Sequence, residues 1–410
     1  MKKIDTFTVN INNNESILTK LSLYEIRRLA FTAGYTVIEE LVFNINKIVP
    51  SSYISLAKLN NLISMATAAN IQLVIFNFDL SPTQVRNIQK IAKKIRIIDR
   101  TGLILEIFKK NAKTKESKLQ VELAEMQYML PRLAGQWTHL ERQVGGVGVR
   151  GGPGEKQIEI DRRILRRKIT KYKSDLKKIE TQRNTRLSSR NKFFNVALVG
   201  YTNAGKSSIL NLLTGADALT QNKLFATLDT STKVIKYDLK DKILISDTVG
   251  FIQDLPHHLI ASFKSTLNEI SNANLIIKVI DCNSLFIDIH LKTIDEVLKS
   301  INLDKIPFFI IFNKVDLISN STKIQALKRT YQNRIFISTL KRIQTDQIIK
   351  EILKHYNKNR LRKKIHITFD NLALLQTIYK FFDIIHQENQ EAGIDLEIEG
   401  EKKNFKRFKL

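Results

Sequence analysis

Gly200-Tyr201-Thr202-Asn203-Ala204-Gly205-Lys206-Ser207 is the stretch that decides how this chain is read. It fits G-x-x-x-x-G-K-[ST] and directly follows the apolar run Val196 to Val199. A strand is therefore expected to feed a glycine-rich loop that opens a helix at Ser208. Three further stretches follow in order: Thr227, then Asp247-Thr248-Val249-Gly250, then Asn313-Lys314-Val315-Asp316 after the apolar run Phe308 to Phe312. A chance match to the loop alone is conceivable, but the ordered set is not. The expectation is an α/β fold of the P-loop GTPase kind, with a mostly parallel sheet and helices on both faces.

Each stretch carries a chemical expectation. The backbone N–H groups from Gly200 through Thr202, Asn203, Ala204 and Gly205 to Ser208 are expected to cradle phosphates, with Tyr201 inside the loop. Lys206 would reach the outer two phosphates and Ser207 would ligate Mg²⁺. Asp247 would hold the same Mg²⁺ through water, and the Gly250 amide would meet the γ-phosphate. Thr227, two residues after Phe225, has a hydroxyl and carbonyl that can reach both; Lys206, Thr227 and Gly250 are the expected catalytic groups. Asp316 can accept hydrogen bonds from guanine N1–H and the exocyclic amine, a donor pair adenine lacks, so GTP or GDP is the expected ligand. Lys314 would lay its stem along the base. Phe251 occupies the position where many switch GTPases carry a water-orienting glutamine, which predicts slow intrinsic hydrolysis. Asn203 offers a route around this, since in related GTPases an asparagine there helps to hold K⁺ against the phosphates; capping the loop is its alternative role.

Composition bounds the rest. A length of 410 residues with 43% apolar content predicts two or three globular domains. No apolar run approaches the roughly 18 residues that span a bilayer, so the expectation is a cytoplasmic protein without stable membrane insertion. The single cysteine, Cys282, excludes an internal disulfide framework and a cysteine-built metal site. A net charge of +26 favours a polyanionic partner, with a genome biased toward Lys, Ile and Asn codons as the alternative, and where the charge lies decides between them.

The charge is localised. Leu119, Leu123, Met126, Leu130 and Leu133 follow a 4-3-4-3 spacing, as do Leu165, Ile169, Tyr172, Leu176 and Ile179, so two helices are expected to pair as a hairpin that Pro131 kinks or ends. Ordinary amphipathic helices on a sheet are the alternative. Between them, Val144 to Gly154 holds six of the chain's fifteen glycines and reads as a displayed loop. Residues 155 to 192 then carry 14 Lys and Arg against 5 Asp and Glu. That excess favours a phosphate-contacting surface, with Arg142, Arg150, Arg162, Arg163, Arg166 and Arg167 as candidate RNA contacts.

Upstream of the hairpin, Phe7 to Ile11, Tyr35 to Ile45, Leu73 to Phe78 and Leu103 to Phe108 read as strands alternating with helices, one of them announced by Ser81-Pro82. Downstream, Ile365 to Phe369, a helix over Leu372 to His386, and Ile394 to Ile398 read as a small α+β tail whose function is not legible. His257 and His258 read as helix surface. The boundaries expected are an N-terminal domain over 1–192, divided into an α/β part (1–114) and the basic hairpin (115–192), a GTPase domain over 193–357 and a tail over 358–410.

Several stretches together resemble the HflX family of ribosome-associated GTPases: Asp99 to Phe108, Leu119 to Ala124, Gly152 to Arg163, Gly200 to Ser207, Phe225 to Asp229 and Asp247 to Ile252. The resemblance implies an HflX-type N-terminal domain with a helical hairpin, binding to ribosomal RNA of the large subunit, and rescue of stalled ribosomes by subunit splitting. A monomer is expected. The chain departs from the family pattern at Lys156, at Thr230 or Ser231, and at Ser338-Thr339-Leu340-Lys341, where a Ser-Ala-Lys run is usual. Ser338 and Thr339 are still expected beside the base, the Thr339 amide meeting guanine O6. Two other functions share these motifs: a GTPase of ribosome assembly or tRNA modification, and a nucleotide-gated RNA clamp with little turnover.

Overall fold

The computed structural model of the chain describes residues 4–12, 16–133, 153–190, 193–216, 223–235, 243–253, 270–318, 321–358, 360–369, 373–390 and 392–408. The glycine-rich stretch up to Gly152, with Arg142 and Arg150, and the pair His257-His258 lie outside them. The chain divides into two compact units, Met1–Leu340 and Lys341–Leu410.

The first unit begins β1 (Ile4–Asn12), α1 (Ser16–Ala33), β2 (Tyr35–Asn44), α2 (Leu56–Ala68), β3 (Leu73–Phe76), α3 (Pro82–Ala92), β4 (Arg96–Asp99) and α4 (Arg100–Asn111). Its strands pair in the order β2-β1-β3-β4, all parallel. Parallel pairing demands crossovers, and the intervening helices supply them. Ser81 caps α3 in a reciprocal capping box with Gln84, and Pro82 stands where its missing N–H costs nothing. Leu59, Leu62 and Ile88 cover one face of this sheet with Phe7, Val9 and Phe76.

Leu103 to Phe108 is helix, not strand. The strand is the short Arg96–Asp99 before it, and Asp99 ends that strand by accepting a hydrogen bond from Gly102 N as the N-cap of α4. Every residue from Leu103 to Leu105, and Ile107 and Phe108, is buried. A helix buried on most of its circumference, with only Glu106 part-exposed in this run, shows little 3.6-residue period, so an apolar run of this length reads equally as a buried strand.

Next come α5 (Lys115–Met129) and α6 (Pro153–Arg190). They pack against each other, with the Tyr172 hydroxyl beside Glu122, whose carboxylate pushes its pKa up. The heptad residues Leu165, Ile169, Tyr172, Leu176 and Ile179 of α6 are partly buried while most of their neighbours are exposed. α5 is buried on a second face as well, where Val121 and Ala124 join the core of α4. It ends two residues before Pro131. At 38 residues, α6 is about 57 Å long at 1.5 Å per residue.

The nucleotide-binding half follows: β5 (Phe194–Gly200), α7 (Lys206–Thr214), β6 (Ser231–Val234), β7 (Ile243–Asp247), β8 (Leu275–Asp281), α8 (Ile287–Ser300), β9 (Phe308–Asn313), α9 (Ser321–Thr330) and β10 (Arg334–Phe336). The strand order is β10-β9-β8-β5-β7-β6, parallel except for β6. One buried cluster runs from Leu29, Ile104 and Phe108 through Phe225, Tyr201 and Phe251 to Ala197, Ile276 and Phe312. The two halves of the first unit therefore share a core.

The second unit holds α10 (Asp346–Lys358), β11 (Arg360–Thr368), α11 (Ala373–Phe381), β12 (Asp383–Gln390), β13 (Gly393–Glu401) and α12 (Lys402–Phe408). Its sheet is antiparallel, ordered β11-β13-β12, over Ile367, Ile378, Phe382, Leu396, Ile398 and Phe405. The helix expected to reach His386 stops at Phe381, because Asp383 onward pairs with β13. No helix among the described residues is long and apolar enough to cross a membrane.

Candidate functional site

The loop between β5 and α7 needs a left-handed residue at its exit, and Gly205 supplies it with φ +99° as the N-cap of α7. A Cβ there would fall 2.1 Å from Asn313 Nδ2, so glycine is required on steric grounds as well. Asn313 Nδ2 donates to Ala204 O at 3.0 Å, and Asn313 Oδ1 accepts from Thr339 N and Thr339 Oγ1, each at 3.2 Å. Asn313 is thus a buried tie between the loop and the Ser338 segment.

Lys206 is buried, and its ammonium donates to Gly200 O at 3.1 Å and Tyr201 O at 3.0 Å. Burial lowers its pKa to about 8, against the pull of nearby Asp247. Phosphate oxygens placed beside it would favour the charged form further. Ser207 Oγ donates to Asp247 Oδ2 at 2.5 Å and lies 2.8 Å from Thr227 Oγ1. Burial also pushes the Asp247 carboxyl up, with Lys206 as the main opposing charge, and its Oδ1 is buried with no partner. Three oxygen-bearing side chains thus converge on one point, one of them holding an unsatisfied buried oxygen. These are the donors a hard divalent cation selects, so the residues present fit Mg²⁺.

Gly250 packs against the loop so closely that a Cβ would meet Thr202 Cα and Cγ2 at 2.8 Å. Phe251 N donates to Gly200 O at 3.0 Å, and Thr202 N donates to Phe251 O at 2.8 Å. The Phe251 side chain is buried. A cavity lined by Thr202, Asn203, Gly205, Lys206, Ser207, Ser208, Phe225, Thr227 and Gly250 brings together the loop, the Thr227 segment and the Asp247–Gly250 turn.

At the other end of β9, Lys314 has φ +68° and donates from Nζ to Asn203 O and Asp281 Oδ2, both at 2.8 Å. This fixes the Lys314 stem beside the loop. The fully buried Ser338 hydroxyl donates to one carboxylate oxygen of Asp316. The Thr339 amide, expected to face guanine O6, donates instead to Asn313. Contact with O6 would require it to exchange that bond. Phe225 lines the phosphate-loop cavity, its ring packs edge-on against Phe108 with centroids 4.8 Å apart, and its carbonyl accepts from Asn111 Nδ2 at 2.7 Å.

Over residues 20–109 the chain matches the family described as GTP-binding GTPase N-terminal, and over 111–190 the one described as GTP-binding GTPase Middle Region. Residues 195–314 match the family described as 50S ribosome-binding GTPase. GTPase HflX of Magnetococcus marinus is 42% identical over 300 residues, 73% of this chain and 69% of its own length. The Escherichia coli (strain K12) GTPase HflX is 39% identical over 319 residues, 77% of this chain and 74% of its own. That of Lacrimispora saccharolytica is 35% identical over 393 residues, covering 94% and 91%.

This chain belongs to the HflX GTPase family. It is a GTP-binding protein and a GTPase. A crystal structure of an SsGBP and GDP complex is 26% identical to it with a TM-score of 0.47, covering 87% of this chain and 99% of that one.

Two contact groups of this HflX chain were not legible in the sequence. The segment after Phe225 is held from below: Asp229 Oδ1 accepts from Thr114 Oγ1 at 2.5 Å, and Asp229 Oδ2 from Lys113 N at 3.2 Å and Thr114 N at 3.4 Å. Thr114 is itself the N-cap of α5. A second, buried group joins Glu25, Asn77, Arg100 and Tyr201 to Gln253. Arg100 Nη2 pairs with Glu25 Oε2 at 2.7 Å, with both side chains almost wholly buried. Removing one partner of such a pair costs about 3–5 kcal/mol. Arg100 belongs to the Asp99-Arg100-Thr101-Gly102 run that carried the resemblance; nothing in that run names its partners.

Proposed function

We propose that this HflX-family GTPase acts on the large ribosomal subunit, holding ribosomal RNA through its basic helix and using GTP to set the strength of that hold. The observation that carries this is the outer face of α6, where Arg163, Arg166, Arg167, Lys168 and Lys171 are exposed while the heptad residues beneath them are partly buried. Arg162 is partly buried beside them. Arg142 and Arg150 are proposed to add contacts from the glycine-rich stretch. A polar helix face usually mixes its charges, and this one presents cations together with Arg forks suited to phosphate. The match of residues 195–314 to the family described as 50S ribosome-binding GTPase agrees with this partner. Splitting of stalled ribosomes is the outcome proposed for the GTP-bound form, with the protein acting as a cytoplasmic monomer. Its working parts are the N-terminal domain (1–192), the GTPase domain (193–357) and the tail (358–410).

In the proposed chemistry, the loop from Gly200 to Ser208 cradles the phosphates and Lys206 neutralises the outer two. Ser207 and Thr227 would ligate Mg²⁺ and Asp247 would hold it through water; bound there, the ion would screen charge on the β- and γ-phosphates. Gly250 N–H would donate to the γ-phosphate, and Asn203 would help to hold K⁺ beside it. Asp316, oriented by Ser338, would read guanine. Since Thr227 touches only the phosphate end, Thr227→Ala should abolish turnover while leaving the Kd for GTP within about tenfold. Equal loss of binding and turnover in Thr227→Ala would contradict that assignment.

The functional reading is tested by sedimenting the full chain with purified large ribosomal subunits. With a non-hydrolysable GTP analogue the protein should pellet with the subunits at low salt, and with GDP it should largely remain in the supernatant. Equal pelleting in both nucleotides would leave a plain RNA-binding protein. No pelleting, together with binding to tRNA, would favour the tRNA-directed alternative.

A further inference from the structure

We propose that Arg100, with Glu25 and Tyr201, is a positioning residue for GTP hydrolysis that holds the backbone of Gln253 and, through it, the turn at Gly250 and Phe251. Both backbone groups of Gln253 are held. Its N–H donates to Tyr201 Oη at 2.7 Å, and its carbonyl accepts from Arg100 Nη2 at 3.0 Å. The two holders are themselves fixed. Tyr201 donates its hydroxyl proton to Glu25, whose other carboxylate oxygen takes Arg100 Nη2 at 2.7 Å. Arg100 Nη1 donates to Asn77 Oδ1 at 2.6 Å, and Asn77 Nδ2 is anchored on Asn10 and Ser22. Glu25, Arg100 and Tyr201 are exposed by only 2%, 5% and 6%, so little water competes for these bonds.

Two sets of bonds therefore bracket the segment that follows Gly250. At Phe251 the phosphate loop holds it through Gly200 O and Thr202 N; at Gln253 the Arg100 cluster holds it, with buried Ile252 between. Phe251 has no polar side-chain atom with which to orient a water. The backbone must do that work, and its value depends on being held in place before the reaction. Arg100 belongs to α4 and Glu25 to α1, so the α/β domain shapes the catalytic turn without touching the nucleotide. A lysine cannot replace Arg100, because one ammonium does not reproduce a planar fork that serves Asn77 with one nitrogen and Glu25 and Gln253 with the other.

The test uses the full chain with Arg100→Lys, which keeps a cation beside Glu25, and Tyr201→Phe, which removes only the hydroxyl. Both should lower kcat by about tenfold or more while the KM for GTP and the Kd for GDP stay within about twofold. Amide hydrogen exchange over residues 251–253 should quicken in both. An unchanged kcat in both variants, or a loss of GDP affinity in step with kcat, would overturn the proposal. The inference rests on assigning Gly250 to the γ-phosphate, so Gly250→Ala is measured beside them. Full turnover in Gly250→Ala overturns that assignment and the clamp together. Loss of turnover there, with Arg100→Lys and Tyr201→Phe unaffected, overturns the clamp alone.

Discussion

Large ribosomal subunits should raise the rate of GTP hydrolysis by this protein by roughly 10³-fold, the lower end of what a supplied charged or ordering group achieves in other GTPases. The reason lies in Phe251. It stands after Gly250, is buried, and its side chain can neither donate nor accept a hydrogen bond, so no side chain at that position orients water. The route for the effect is also visible. Asp229, two residues beyond Thr227, is bonded to Thr114, the cap of α5, and α5 packs on α6 with its exposed arginines. Force applied to the basic helix thus has a short path to the Thr227 segment. With the proposed grip on RNA made through phosphates, both binding and stimulation should fall by roughly 10³-fold between 50 and 200 mM salt if about six contacts form.

The second large effect concerns the base. Asp316→Asn should weaken GTP by about 10²-fold or more and shift preference toward xanthosine triphosphate, since the introduced amide can donate to the carbonyl xanthine carries at C2. The structure adds a reason for sharp discrimination. Ser338 donates to one carboxylate oxygen and so holds the group in a fixed orientation. A carboxylate free to rotate would read guanine less strictly. Competition binding with the two triphosphates measures this directly. Undiminished preference for GTP in Asp316→Asn would remove Asp316 as the base-reading residue.

What was legible in the sequence was what depends on local order. The phosphate loop, the Asp247–Gly250 turn and the Asn313–Asp316 turn each end an apolar strand, and strand, turn and motif adjoin in the chain. The heptad of α6 was legible for the same reason, since a stripe repeats within one element; that of α5 covers only Leu119, Leu123 and Met126, because the helix ends at Met129, before Leu130 and Leu133. Leu103 to Phe108 was misread because the helix is buried around most of its circumference, which hides its period. The ties of Arg100 and Asp229 were invisible for a different reason. Arg100 meets a residue 153 positions away and Asp229 one 115 positions away, and no local pattern records such a pairing. Phe225, expected at the nucleotide, lines the phosphate-loop cavity, and its ring also joins the Phe108 core. A motif shows that a residue matters but not which way it points.

Turnover of the full chain, followed by phosphate release as purified large ribosomal subunits are titrated in at 50 mM salt with Mg²⁺ and K⁺ present, is the most direct measurement of whether this GTPase is driven by the ribosome. The account predicts a saturable rise of roughly 10³-fold that disappears when Arg163, Arg166 and Arg167 are changed together to glutamate. A rate that stays at its intrinsic value across the titration would contradict it.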